Sequence, residues 1–169
     1  MMSRSGLRAR TRGQAMVEFA IVLPVFLAML LGIVDFGRVI WATNSLSNAA
    51  AEAARFAIVH GGAASDPCPV GPPGPDANVP LASPSCPYPA PSKQAIKDAA
   101  IAYAIAGGSN VSVTVCYGVG CSGDADTGTD ARGTPVTIVV TSNISLVAPA
   151  LLGMGSFAIS GNSTMLVNH

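Results

Sequence analysis

FAIVLPVFLAMLLGIV, residues Phe19 to Val34, holds no charged side chain. Extended back through Ala15, Met16 and Val17 around a single acidic residue, Glu18, the stretch reaches about twenty residues. That is about 30 Å of helix, the thickness of a bilayer's hydrocarbon core. Arg4, Arg8, Arg10 and Arg12 precede it, whereas only Arg38 and Arg55 follow within the next turns. The positive-inside bias therefore predicts a single membrane span with its N-terminus in the cytoplasm and the rest of the chain exported.

The composition fits an anchor plus one modest domain: 169 residues, 50% of them apolar and only 11% charged. The formal net charge of zero conceals a separation of basic residues at the N-terminus from Asp124, Asp126 and Asp130 in a later loop. A cleavable secretory signal also has a basic start and an apolar run. Here, however, Asp35, Arg38 and Trp41 come directly after the run, and the first small-residue sites, around Ser47, Ala49 and Ala51, lie well beyond it.

Helical character continues past the span. From Val34 to Val59 there is no proline and one glycine, Gly37, before Gly61 and Gly62 stop the helix. Arg38, Ser45, Asn48, Glu52 and Arg55 line a wet face, while Val39, Leu46, Ala50, Ala53 and Ala57 form a narrow seam that needs a packing partner. A helix from about Ala15 to Val59 is on the order of 65 Å long, so about half of it projects beyond the bilayer. Pro24 removes one helix hydrogen bond and permits a kink.

Residues 61–91 are rich in proline and glycine and read as an irregular loop carrying Cys68 and Cys86. After Ser92, read as an N-cap, Ile96, Ala99, Ala100 and Tyr103 recur at helical spacing until Gly107 and Gly108. Alternation at Val111, Val113 and Val115, then Val136, Ile138 and Val140, then a weaker run through Phe157, Ile159, Met165 and Val167, predicts three half-buried strands. LVAPALLGMG, between the last two, is too short and too broken by Pro149 for a second span. It is expected to tuck under the sheet or lie near the membrane surface. The expected fold class is α+β: a long N-terminal helix running into a small exported domain with a short helix and an antiparallel sheet.

Four cysteines in an exported segment predict disulfides. The favoured pairing is Cys68 with Cys86 and Cys116 with Cys121, one of three connectivities that four cysteines allow. Neither pair has CxxC spacing, and His60 and His169 are far away, so no metal site is assigned. DADTGTD, Asp124 to Asp130, presents alternating carboxylates, but Pro135 stands where the glutamate of an EF-hand loop would fall, and a solvated acidic turn is the expectation. The Asn-x-Ser/Thr triplets at Asn110, Asn143 and Asn162 are assigned no role. No Ser/His/Asp or Cys/His constellation and no phosphate-binding glycine motif is visible. The chain is expected to be no enzyme, with no cofactor, no nucleic acid and no small-molecule substrate as partner.

An acidic residue at a membrane edge costs free energy, so Glu18 invites a role beyond snorkelling to the interface. Asp35 and Arg38 at the other edge read as an i,i+3 interfacial pair. Through GQAMVEFAIVLPVFLAMLLGIVDFGRVIWATNSLSNAAAEAARFA, residues 13–57, the chain resembles the TadE-like family of tight-adherence (Flp) pilus assembly proteins. The resemblance implies a processing site: removal of the leader after Gly13 by a prepilin peptidase, Gln14 as the mature N-terminus, Glu18 at its fifth position as an assembly contact, and Phe19 next to it. It also implies a membrane-anchored minor pilin or pseudopilin, whose partners are the bilayer, prepilin peptidase, other pilins or pseudopilins and the pilus assembly platform. The implied location is the inner, cytoplasmic membrane, with possible association with the pilus. The alternative is a membrane-tethered extracytoplasmic binding or adhesion module outside any fibre. The segments expected are a basic leader (1–13), a transmembrane helix (14–36), its exported continuation (37–60), the Pro/Gly-rich loop (61–91) and a small α+β region (92–169).

Overall fold

The computed structural model describes residues 6–61, 68, 70–72, 92–107, 110–120, 122–151, 153 and 155–168, with the side chains of 6–12, 107 and 151 excepted. Helix α1 runs Gly6–Val59 without a break, through Pro24. It begins within the basic leader, earlier than the expected start near Ala15. Next come α2 (Gln94–Tyr103), a 3-10 turn (Ile105–Gly107), strands β1 (Val111–Tyr117) and β2 (Pro135–Ile144), helix α3 (Val147–Leu151) and strand β3 (Phe157–Leu166). The α+β expectation, a long apolar helix leading into a small domain with short helices and an antiparallel sheet, is borne out.

The chain divides into two units, 1–38 with 146–155, and 39–145 with 156–169. In the first, every described side chain from Gly13 to Leu30 is exposed, and only Leu31 is half-buried among those that follow up to Val34. The helix is long and apolar enough to cross a membrane. Among the described residues nothing covers this stretch.

The second unit holds the core. Its sheet is an antiparallel meander in the order β1-β2-β3. Alternation decides which face is inside: Val113, Val115, Val136, Ile138 and Val140 are buried with Ile96 and Ala100 of α2. Against them α1 buries Leu46, Ala49, Ala50, Ala53, Ala54 and Ala57, the seam expected from the sequence with Ala49 and Ala54 added and Val39 left half-buried outside it. Alanine matters here because it brings the helix backbone close to the sheet. Gly161 completes that approach in mid-β3, where a Cβ would collide with the backbone of Leu46 and Ser47. Val70, from the first third of the loop, joins the same core and donates its N–H to the His60 carbonyl at 2.7 Å.

Two local expectations need correcting. The N-cap of α2 is Lys93 and not Ser92, although Ser92 Oγ does accept the Gln94 N–H at 3.1 Å. Lys93 has helical dihedrals and no capping side-chain bond, because an ammonium only donates and an N-cap must accept from the helix N–H groups. Tyr103, assigned to the apolar stripe, is exposed, because α2 ends there and Ala104, two turns after the buried Ile96, is the residue that turns inward.

Candidate functional site

The processing residues read from the sequence lie together on α1: Gly13, Gln14, Glu18 and Phe19 are all helical and all exposed. Space around Gly13 is open, with nothing near a Cβ added there. Glu18 stands between Val17 and Phe19, which are 61% and 64% exposed, so its carboxylate lies on an apolar surface with no counter-charge supplied by the described residues. Such a carboxylate is expensive to hold in hydrocarbon unless a cation meets it.

At the other end of the apolar run, Asp35 is 4% exposed on a helix whose neighbours are open. The chain folds back to cover it from more than a hundred residues away. Asp35 Oδ1 accepts the Val147 N–H at 3.1 Å and Oδ2 accepts the Ala148 N–H at 2.7 Å. The carboxylate thus occupies the N-terminus of α3, where free N–H groups and the helix dipole favour an anion. Arg38 Nη1 lies 3.7 Å from Oδ1 and is half exposed. The i,i+3 pair expected from the sequence is present but secondary, because the two charge-assisted backbone bonds are shorter and buried. Residues 146–155 accordingly group with the apolar part of α1.

The acidic loop forms the other polar cluster. Asp124 Oδ1 accepts the Val115 N–H at 3.0 Å and Asp126 Oδ1 accepts the Tyr117 N–H at 2.9 Å. Lys93 Nζ donates to Asp126 Oδ1 at 2.7 Å, to the Asp124 carbonyl at 2.8 Å and to the Val115 carbonyl at 3.1 Å. Lys97 Nζ holds Asp124 Oδ2 at 2.7 Å. Burial pushes the Asp124 carboxyl up, but the Lys97 ammonium, the Val115 N–H and Lys93 outweigh it and leave the carboxyl below its ordinary value. These aspartates are not a solvated turn, as the sequence suggested. They satisfy the outer edge of β1 with side-chain groups, and Lys93, at the start of α2, and Lys97, within it, neutralise them. Among the described residues no cluster of His, Cys, Asp or Glu could hold a metal ion.

Under this loop, Tyr117 is fully buried and its hydroxyl has no hydrogen-bond partner among the described residues. Burial, and after it the charges of Asp130 and Asp126, push the phenol well above its ordinary range. Gly118 then turns with φ +112°, and a side chain there would strike Thr127 and Gly128. No described cysteine carries a free thiol. Cys86 and Cys121, and with them the expected pairing, lie outside the described residues, as does most of the Pro/Gly-rich loop.

Sequence reasoning missed the engagement of α3 by Asp35, the Lys93–aspartate lattice and the helix contact of Gly161. A mid-strand glycine is the one signal that pointed to any of them.

The geometry defines a class: an N-terminal helix with an uncovered apolar half, long enough for a membrane, whose other half is the spine of a small α+β domain. Residues 13–55 match the family model described as TadE-like protein, so the resemblance read from the sequence is borne out in the segment that carries it. No curated protein and no solved structure matches the chain.

Proposed function

We propose that the protein is a membrane-anchored minor pilin or pseudopilin that takes part in assembling tight-adherence (Flp-type) pili. The observation that carries this reading is the match to the TadE-like model over the helix that leaves its own inner half uncovered. A surface of Phe, Leu, Ile and Val open on all sides suits two surroundings in turn, lipid before assembly and the helices of neighbouring subunits after it.

In this reading residues 1–13 are a cytoplasmic leader that prepilin peptidase removes after Gly13, residues 14–36 span the inner membrane and the remainder is extracytoplasmic. Cleavage creates an α-amino group at Gln14. In a bundle of subunits that ammonium meets Glu18 of a neighbour, and the pairing offsets the cost of leaving both charges in an apolar helical core. The protein contributes no catalysis and no cofactor chemistry. Its partners are the peptidase, other pilins or pseudopilins and the assembly platform. Cys68 pairs with Cys86 across the proline-rich loop, and Cys116 with Cys121 at the end of β1, making the exported domain resistant to unfolding.

Mass analysis of the mature N-terminus tests this. In cells with active prepilin peptidase the chain should begin at Gln14, and Gly13→Leu should retain the leader while still inserting. A terminus at Met1 or Met2 sinks the processing step and favours a tethered binding module. Unchanged subunit association in Glu18→Ala would refute the charge pairing.

A further inference from the structure

The last stretch of the chain is free of charge: between Arg132 and His169 there is no Asp, Glu, Lys, Arg or His. Within it residues 146–155, LVAPALLGMG, are bracketed by Ser145 and Ser156 and group with the apolar part of α1. Helix α3 turns Val147 and Ala150 outward, one turn apart on one face, and Val147 is 45% exposed. An exposed apolar face beside an uncovered apolar helix calls for one surrounding that suits both.

The backbone of this segment is already prepared for a dry surrounding. Asp35 accepts the Val147 and Ala148 N–H groups, Pro149 has none, and Ala150 donates to the Leu146 carbonyl at 3.2 Å. Every N–H from Val147 to Ala150 is thus satisfied without water. After the helix, Gly153 turns with φ +73° and donates back to the Ala150 carbonyl at 3.1 Å. A short helix with free first donors is kept away from hydrocarbon, because nothing there replaces water as their acceptor. The need is mutual. Asp35 directly follows the apolar run, and a carboxylate at the rim of a span is tolerable only where donors meet it. On an aqueous surface neither group would require the other. Arg38, half exposed beside Asp35, carries a stem long enough to leave its cation in water.

We propose that residues 146–155 make a second membrane contact: pinned to α1 by Asp35, α3 lies at the interface where the span ends, with Val147 and Ala150 against lipid. The occupant of this face is the bilayer that α1 crosses, because the segment is fixed where the apolar run ends and carries no charge for a protein partner to read. The inference rests on the reading of α1 as a membrane span.

Tryptophan quenching in the full chain, reconstituted in phosphatidylcholine vesicles, tests the two separately. Trp41 is the only tryptophan, so Trp41→Phe gives a silent background. In it Ala150→Trp should lose most of its emission to lipids brominated near the headgroup and little to acrylamide in the water. Val147→Trp, on the same face, should behave alike and serves if the first variant misfolds. Phe26→Trp, inside the apolar run, should instead be quenched by lipids brominated near the bilayer centre. Asp35→Ala should open Ala150→Trp to acrylamide and leave Phe26→Trp unchanged. If Phe26→Trp escapes the deep quencher, the span itself is refuted. If it is quenched while both α3 probes stay open to acrylamide, α3 is no membrane contact and the anchor stands. Probes shielded from brominated lipid and acrylamide alike mean that protein, a second copy or another chain, covers this face, and they overturn the proposal. An unchanged Ala150→Trp in the Asp35→Ala background overturns the pinning.

Discussion

Between Gly13 and Val34 helix α1 turns phenylalanine, leucine, isoleucine and valine outward on every side, whereas between Leu46 and Ala57 the same helix buries mostly alanine. The larger apolar side chains are the uncovered ones. Size explains the inversion. A helix surrounded by lipid or by other subunits' helices fills space with bulky side chains all round. One pressed onto a sheet of its own chain must bring backbone close to backbone, and only small residues allow that. The inner half thus depends on surroundings outside the chain, the outer half on Gly161 and the inward valines of β1 and β2.

The sharpest way to break this contrast is Gly161→Val. The added side chain meets helix backbone that cannot move aside, so the small α+β domain should lose more than about 3 kcal/mol or fail to fold, read as protease sensitivity of the part beyond residue 38. Membrane insertion should be unaffected, because the inner half makes no use of the sheet. Equal loss of insertion would show that the two halves are not independent.

Lys93→Met should come next, at about 2 to 3 kcal/mol in chemical denaturation. It strands the Asp126 carboxylate and the Val115 carbonyl in a partly buried site. Asp35→Asn keeps the shape but offers one acceptor oxygen to two N–H donors, so one of the two bonds is lost and the other gives up its charge assistance. The Val147 and Ala148 amides should then exchange with solvent markedly faster, while the sheet amides remain protected.

The smallest effects are titrations, and they run in opposite directions. The folded value of Asp124 lies below its unfolded one, so its contribution is complete above about pH 4 and is lost as pH falls through the folded value. Asp124→Asn should flatten the acid limb of a melting-temperature profile. Tyr117 is raised, so its contribution is complete below about pH 10 and is lost as the pH rises beyond that. Tyr117→Phe removes a buried hydroxyl that has no partner among the described residues. It should change stability at neutral pH by less than about 1 kcal/mol, in the stabilising direction, and abolish the alkaline loss.

How far these features were legible depends on the range of the interaction behind them. The apolar run, the alanine seam and the valine alternation of β1 and β2 are periodic patterns. Each reports its own element and its buried face without knowledge of any partner. Asp35 and Lys93 are different: their partners lie over a hundred and about twenty to thirty residues away, and one sequence holds no signal that joins them. The aspartates of the loop looked solvated because acidic turns usually are, and only the approach of α2 to β1 makes them structural.

The sequence by itself determined the length and apolarity of the helix, its likeness to the TadE-like family and the face each strand buries, because these follow from composition and from periods of 3.6 and 2. Tertiary structure alone decided that Asp35 holds α3, that Asp124, Asp126 and Lys93 take up the backbone groups at the β1 edge, and that Gly161 is where helix meets sheet. Those outcomes depend on which distant backbone groups meet, and hydrogen-bond satisfaction across such distances is settled only when the chain has closed on itself.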